Sequence, residues 1–503
     1  MMANTNFFAR NYFYNNNKNE ISLMPFKFDR WTDKVFISND IGENIFLTNF
    51  EFELFVSKSL DRNTEVYKTL KSKGFLVDNN SSSNIDLLAS RYRTKKSFIE
   101  GFSKLHIFVT SLRCNLSCPY CQVSRQNITA QQSVYDMSND VLDKSIDLML
   151  KNPSPQVTME FQGGEPLTSF ELIKRSILTT KEKNEKFNKE IDFVICTNLS
   201  FLEDSHLDFF KEHRVNISTS LDGPKFLHNK NRPNLKGEAT YDLVVENIRR
   251  CQDALGVQHV SALMTTTRES LKYPKEIIDE YINLDLSSMF IRELNPYGFA
   301  LKSKKSLGYT TEEFVSFYKK ALDHIIDINL GGGSFSEAYA ATILSKIYTP
   351  WPVGFVDLQS PTGSGFSVTL YNYDGDVYAS DESRMLAEID DYTFRLGNVI
   401  EDTYEDIFLG DTMQMLASAS CNESLPGCSD CAYQSYCGAD PVRNHATQND
   451  IVGNRGEGNG FCKKNMSIIK YLINLYNNAD DDVNRILWSW INRDDHRRMK
   501  LGS

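Results

Sequence analysis

The sequence predicts an α/β fold in which an open, six-stranded partial (β/α)6 barrel carries a smaller module at each end. Two observations point there. Between Leu105 and Leu294, short β-rich runs alternate with helical patterns, an order that gives parallel strands joined by crossover helices. At 503 residues the chain is also longer than a single core usually supports. Six strands are too few for a complete eight-stranded barrel, so chemistry is expected on loops at the C-terminal ends of an open one.

Taken in order, 23–30 and 34–48 read as an extended pair, followed by helical stretches at 49–60 and 64–76. Such a strand-plus-helix unit suits a small winged-helix-like module. The polar tract NNSSSN at 79–84 lacks apolar periodicity and is expected to be a linker. The six barrel strands read as LHIFVT from Leu105, QVTMEF from Gln156, DFVICTN from Asp192, VNISTSL from Val215, VSALMT from Val260 and MFIREL from Met289. Beyond Gly298 the alternation stops. The helical stretch TEEFVSFYKKALDHIIDI, a hairpin-like FSVTLYNYDGDVYAS and a cysteine-rich run from Cys421 to Cys462 suggest a separate C-terminal module. The expected division is 1–84 for the N-terminal module and linker, 85–300 for the barrel, 301–360 for a helical connection, 361–475 for the cysteine-rich module and 476–503 for a helical tail.

Hydrophobic residues at 41% and charged residues at 24% are ordinary globular values, which argues against wholesale disorder. The formal charge of -11 would repel a phosphate backbone, and no basic patch offsets it, so no nucleic-acid partner is expected. The opening segment, Met1 to Asn19, has no continuous apolar stretch, and no later run is long enough to span a bilayer. A soluble cytoplasmic protein without a membrane partner is the expectation. Ten cysteines at close spacings in a large chain without an export signal point to metal binding rather than disulfides.

The motif RCNLSCPYC follows the first strand and sets Cys114, Cys118 and Cys121 in the first strand-to-helix loop. Three thiolates can ligate three irons of a four-iron cluster and leave the fourth open, whereas an electron-transfer cluster normally takes four cysteines. The open iron can chelate the amino and carboxylate groups of S-adenosylmethionine (SAM), and an electron delivered there can break the sulfonium–carbon bond to give a hydrogen-abstracting radical. Zinc is the bland alternative, but zinc sites usually close with four ligands and no fourth Cys or His lies nearby in sequence.

EFQGGEP ends the second strand; Gly163 and Gly164 permit close backbone approach to a ligand, and Glu165, before Pro166, can accept from an ammonium group. Alone it reads equally well as a turn. STSLDGP ends the fourth strand with Ser220, and Arg232 follows, a planar fork suited to a carboxylate. Asn198 either lines the pocket or is a turn residue. Cys428, Cys431, Cys437 and Cys462 can form a closed four-thiolate site for iron and sulfur or for zinc. Cys421 lies outside that set, and Cys196 and Cys251 sit in apolar patterns that read as core.

CxxxCxxC with Tyr120 before the last cysteine resembles the defining motif of the radical SAM superfamily. The resemblance implies SAM and a [4Fe–4S] radical SAM cluster as cofactors. It implies Tyr120 beside adenine, GGEP on the amino group, and Ser220 and Arg232 on the ribose and carboxylate of SAM. The cysteine-rich stretch resembles a SPASM domain, whose fullest form carries two auxiliary clusters. Ser380 and Pro441 stand where the full pattern has cysteines, so one auxiliary [4Fe–4S] cluster is implied. In sulfatase-maturing relatives the aspartate matching Asp381 is a catalytic base; the alternative is that Asp381 and Glu382 cap the following helix. SNDIGENIFLTNFEFEL and a terminal GFL resemble the PqqD-like element that binds leader peptides by adding a strand to a sheet edge.

Over most of the chain, LHIFVTSLRCNLSCPYCQVSR, EFQGGEP, TSLDGP, LHNKNRP, NPYGFA, YNYDGDVYASDESRMLAE and CGADPV together resemble the His-Xaa-Ser system radical SAM maturases, the HxsB family. That resemblance implies modification of a precursor peptide or small protein, with room for a second radical SAM partner and a reductant such as flavodoxin or ferredoxin. Crosslinking is the expected outcome. Oxidation or epimerisation of a single residue is one alternative, and a non-catalytic iron-sulfur scaffold that presents a peptide to a partner enzyme is another.

Overall fold

The computed structural model describes residues 21–78, 83–456, 458–493 and 497. The opening segment, and residues 79–82 of the expected linker, lie outside the described residues. Ser83 and Asn84 already belong to the helix Ser83–Lys96, so the polar tract does not stay a linker to its end.

A nine-stranded sheet forms the centre. Its strands are β1 (Leu105–Ser111), β2 (Gln156–Gly163), β3 (Glu190–Thr197), β4 (Val215–Ser220), β5 (Val260–Thr265), β6 (Ile291–Arg292), β7 (Val368–Tyr371), β8 (Asp376–Tyr378) and β9 (Arg395–Asn398), in the order β6-β5-β4-β3-β2-β1-β7-β8-β9. β1 to β6 pair in parallel, and helices Asn139–Leu150, Phe170–Asn184, Asp204–His213, Tyr241–Leu255 and Pro274–Asn283 cross between them. All six expected strands are present. The last is short because Ser288–Met289 pairs with Ser336–Glu337 instead.

The C-terminal hairpin corrects the expectation of a separate module. β7 pairs in parallel with β1, with Val368 opposite Leu105 and Tyr371 opposite Phe108, and β8 and β9 continue the same sheet antiparallel. An open barrel leaves β1 as an edge with unpaired backbone groups, and the hairpin covers it.

Alternation along the barrel strands sorts the two faces. Met159, Phe161, Phe193, Ile195, Val215 and Ile217 are buried in the main core. Glu160, Gln162, Cys196, Ser218 and Ser220 alternate with them and are half-buried. The opening of the barrel is therefore largely polar. No helix among the described residues is long and apolar enough to cross a membrane.

The N-terminal region is a three-stranded antiparallel meander, Lys27–Arg30, Lys34–Ser38 and Asn44–Thr48, with a short pair of Ile21–Leu23 and Leu76–Asp78. The expected single long strand at 34–48 is broken by a turn at 39–43, where Gly42 takes φ +85°. Thr48 and Glu51 form a capping box that starts the helix Asn49–Val56. Val35, Ile37, Leu47, Phe55, Leu70 and Phe75 give this region its own core.

Its sheet packs on the residues between Cys431 and Cys437. Ser38 Oγ donates to Ala432 O at 2.6 Å, Trp31 Nε1 to Tyr433 Oη at 3.0 Å, and Asn44 Nδ2 to Tyr436 Oη at 2.9 Å. Tyr433 Oη donates to Asp29 at 2.6 Å while its ring stacks on Phe36.

Candidate active site

The loop carrying Cys114, Cys118 and Cys121 leaves the C-terminal end of β1. Its entry is fixed by Arg113, which forks onto Asp136 with Nε–Oδ1 at 2.8 Å and Nη2–Oδ2 at 2.6 Å. Its middle is tied to the segment after Arg232: Ser117 N donates to Pro233 O at 2.8 Å, and Leu235 N to Asn115 O at 3.1 Å. Its end is tied to NPYGFA through Phe299 N donating to Cys121 O at 2.8 Å. A Cβ on Gly298 would lie 2.4 Å from Gln122 O, so only glycine fits there.

All ten cysteines are free thiols. Cys114 and Cys118 lie close enough to each other and to Cys121 to interact electrostatically, and burial pushes the Cys118 thiol up to about 12. No three His, Cys, Asp or Glu side chains among the described residues converge as ligands of a single metal ion would. Three thiols without a fourth protein ligand among the described residues suit a four-iron cluster with one open iron.

The paired glycines make a contact that their sequence does not show. A Cβ on Gly163 would lie 2.0 Å from Ser111 O, and one on Gly164 would lie 2.4 Å from Leu112 O and 2.5 Å from Arg113 O. Gly164 N and Glu165 N donate to Ser111 O and Arg113 O at 2.8 and 2.9 Å. The glycines thus let the end of β2 press against the backbone leading into Cys114.

Glu165 differs from expectation. It is 0% exposed, and its carboxylate accepts from Thr197 Oγ1 at 2.6 Å, Asn198 N at 2.7 Å and Leu167 N at 3.0 Å. Burial raises its carboxyl to about 7 against these hydrogen bonds. The side chain joins the ends of β2 and β3 and caps the turn Pro166–Ser169 rather than facing open space. Asn198 in turn donates from Nδ2 to Asn115 Oδ1 at 3.1 Å and reaches Cys114 Sγ at 3.9 Å. Glu165 and Asn198 therefore position the cysteine loop.

Tyr120 is buried, with the Arg232 guanidinium 5.4 Å from its ring centroid. Its hydroxyl donates to Asp222, a residue of STSLDGP that sequence reasoning quoted without singling out. Arg232 Nε lies 3.1 Å from Asp222 Oδ1 but is not aligned to hydrogen-bond it and has no other partner. Burial works against the Arg232 charge, and Asp222 outweighs it. Ser220 sits half-buried at the end of β4.

Asp381 is the first residue of the helix Asp381–Ala387, after the N-cap Ser380, and also lines a cavity of about 300 Å3 beside the ends of β2 and β6. Both sequence readings of it are compatible with this placement. Burial pushes its carboxyl up to about 6, opposed by Arg384 and Arg292. Cys251 is core as expected, but Cys196 is half-buried on the polar face, within electrostatic reach of Glu160. Period-2 alternation could not tell which face of β3 was covered.

The C-terminal cysteines form a second constellation. Each sulfur receives one N–H: Arg455 Nε to Cys428 at 3.0 Å, Tyr433 N to Cys431 at 3.4 Å, Asn465 Nδ2 to Cys437 at 3.6 Å and Gly456 N to Cys462 at 3.3 Å. A set of four sulfurs, each with an N–H donor, suits thiolate ligands of an iron-sulfur cluster. Cys421 stands apart at the end of the helix Asp411–Ser420, with its sulfur against Ala417 O.

Residues 108–281 match the family model of the Radical SAM superfamily. The protein is a radical SAM enzyme, homologous to sulfatase-maturating enzymes. It is 24% identical over 376 residues to the cysteine-type anaerobic sulfatase-maturating enzyme of Clostridium perfringens, covering 73% of this chain and 96% of that one. It is 22% identical over 289 residues to the radical SAM cyclopropyl synthase TigE of Paramaledivibacter caminithermalis, covering 54% and 58%. Among solved structures, native anSMEcpe with bound AdoMet aligns with a TM-score of 0.60 at 20% identity, over 74% of this chain and 99% of that one. Streptococcus suis SuiB bound to the precursor peptide SuiA aligns with a TM-score of 0.51 at 14% identity, over 87% and 99%. Those structural likenesses bear on the fold. The cofactors of the radical SAM class are SAM and a [4Fe–4S] cluster.

Proposed function

We propose that the protein is a maturase that modifies a ribosomally made peptide, by crosslinking two of its residues. The observation that carries this reading is the cavity bounded by Asp381, which opens beside Gln162, the residue before the paired glycines, and Asn295, close before the segment that touches Cys121. A substrate residue held there would lie next to the cysteine loop.

Cys114, Cys118 and Cys121 would hold the radical SAM cluster, and Tyr120, Gly163, Gly164, Pro166, Asn198, Ser220 and Arg232 would surround SAM, with Glu165 as a positioning residue. When bound, the cluster and SAM supply reductive cleavage to methionine and a 5'-deoxyadenosyl radical. A crosslink removes two hydrogens from the peptide: one would leave in 5'-deoxyadenosine and the other as a proton and an electron, the electron being taken up by the auxiliary cluster that Cys428, Cys431, Cys437 and Cys462 would hold. Asp381, raised by burial, accepts that proton. Cys428, Cys431, Cys437 and Cys462 would hold one auxiliary cluster in a SPASM-like region. The N-terminal meander would act as a PqqD-like leader-binding element, with the domain limits set out above. A cytoplasmic reductant such as flavodoxin or ferredoxin would supply electrons, and a second radical SAM enzyme would act on the same peptide.

One observation favours a second reading, epimerisation: Cys196, not Cys421, puts a thiol on the polar face of the barrel beside Glu160. A crosslink lowers the peptide mass by two hydrogens, whereas epimerisation leaves it unchanged. The test is anaerobic reconstitution, iron and sulfide counting, and assay of 5'-deoxyadenosine and peptide mass. About eight irons per chain and SAM cleavage are expected. Iron binding without any cleavage, even with the peptide encoded alongside, would instead support the scaffold.

A further inference from the structure

The cavity bounded by Asp381 holds more negative than positive charge, and the proposed reaction does not need that excess. Five carboxylates line it, Glu160, Glu293, Asp357, Asp381 and Glu382, against Arg292, Arg443 and Lys464. The three cations are already engaged. Arg443 Nη1 and Lys464 Nζ each lie 2.6 Å from Glu293 Oε1, and Arg292 Nη2 lies 3.3 Å from Glu382 Oε1. Glu293 is half-buried, and Arg443 and Lys464 hold its carboxyl down at about 2 against the desolvation.

The other carboxylates are not matched in this way. Glu160 and Asp357 have no ion-pair partner among the described residues. Asp381 has one contact, 3.6 Å from Arg384 Nε, and the same guanidinium reaches Glu388 at 3.2 Å. Burial pushes Asp357 up to about 7, helped by Asp440 and Glu382. Two buried polar atoms beside this group also lack hydrogen-bond partners. One is Arg384 Nε, facing Asp381; the other is the hydroxyl of Tyr297, which is 1% exposed and within electrostatic reach of Asp357 and Glu382.

A half-buried carboxylate without a counter-charge is unfavourable and is relieved when a cation arrives. Phe290, Tyr339 and Phe355 line the same cavity with their rings packed at 5.4 to 6.2 Å, and Lys464 Nζ lies 5.4 Å from the Tyr339 ring. A cavity of about 300 Å3 lined by both carboxylates and aromatic rings suits one long side chain with an apolar stem and a charged end. We propose that this cavity receives a cationic side chain of the substrate, an ammonium or guanidinium, with its charge met by Asp357 and Glu160 and its stem against Phe290, Tyr339 and Phe355. This rests on the maturase reading and specifies the residue presented to the site.

The test measures binding of three pentapeptides, Ac-Ala-Ala-X-Ala-Ala-amide with X lysine, norleucine or glutamate, to the reconstituted enzyme by isothermal titration calorimetry. Lysine is expected to bind at least about tenfold more tightly than norleucine, and glutamate most weakly. Asp357→Asn and Glu160→Gln, each first checked for unchanged iron content and melting temperature, should bring the lysine-to-norleucine ratio close to one and leave norleucine binding unchanged. Equal binding of lysine and norleucine, preference for glutamate, or no binding by any of the three would overturn the proposal. Calorimetry reads binding without turnover. A lysine preference without SAM cleavage would therefore sink the maturase reading alone, and cleavage without that preference would sink the cationic pocket alone.

Discussion

The two cysteine constellations are held in opposite ways. In the C-terminal set every sulfur receives an N–H, and the connecting residues 432–436 are gripped by the N-terminal sheet through Ser38, Trp31 and Asn44. In the barrel set Cys114 receives Leu116 N at 3.4 Å and the longer contact from Asn198, while among the described residues no N–H donates to Cys118 or Cys121. There the support falls on the backbone of the loop, from residues 233–235 and Phe299. The difference is between four sulfurs that each have a donor and a loop held through its backbone in which two of three sulfurs have none.

The largest effect expected from breaking this contrast comes from replacing Cys114, Cys118 and Cys121 together with alanine. Iron analysis should fall by about four per chain, and 5'-deoxyadenosine formation should vanish while the C-terminal cluster remains. A variant that kept full cleavage would refute the assignment of these three residues.

Acid should act at the seam between the two halves. His106 on β1 is fully buried, hydrogen-bonds Tyr371 Oη of β7 at 3.1 Å and stacks on the same ring. Burial lowers its imidazole from 6.5 to about 3. Between those values the unfolded chain binds the proton and the folded one does not, so stability falls as pH drops below 6.5. The slope approaches about 1.4 kcal/mol per pH unit. Urea unfolding across that window should show the loss, and His106→Gln should flatten it; an unchanged profile would mean that His106 titrates normally.

Gly164→Ala sharpens the contrast on the barrel side. The new Cβ meets backbone carbonyls with nowhere to move, and a cost of about 2 kcal/mol with weakened SAM binding is expected. Gly237→Ala is the control. That glycine has φ +81° but nothing within 4 Å, so only the conformational cost of about 1 kcal/mol should appear in denaturant titrations. Equal losses would mean that packing against residues 111–113 does not matter.

The smallest effect belongs to the N-terminal contact. Trp31→Phe removes the hydrogen bond to Tyr433 and should cost about 1 kcal/mol in thermal unfolding, with the iron content unchanged. Loss of iron from the variant would show that the sheet holds the C-terminal cysteines directly.

What the sequence made legible was local. Strand periodicity lies within a few consecutive residues, and the barrel strands could be placed from it. What it hid depends on partners distant in the chain. Nothing in FSVTLYNYDGDVYAS says that its first strand joins β1, since either free edge satisfies the same backbone. Glu165 looks like a ligand-binding carboxylate until Thr197 and the Asn198 amide are seen to occupy it. Asp222, Asp357 and Tyr297 gain meaning only where Tyr120, the cavity and the carboxylates come together.

The central claim is that the cluster held by Cys114, Cys118 and Cys121 is the one open to SAM. The most direct measurement is electron paramagnetic resonance of the dithionite-reduced, reconstituted protein with and without SAM, for the wild type and the triple alanine variant. SAM should change the signal that the variant lacks and leave the remaining signal as it was. A shift of the signal that persists in the variant would contradict the account.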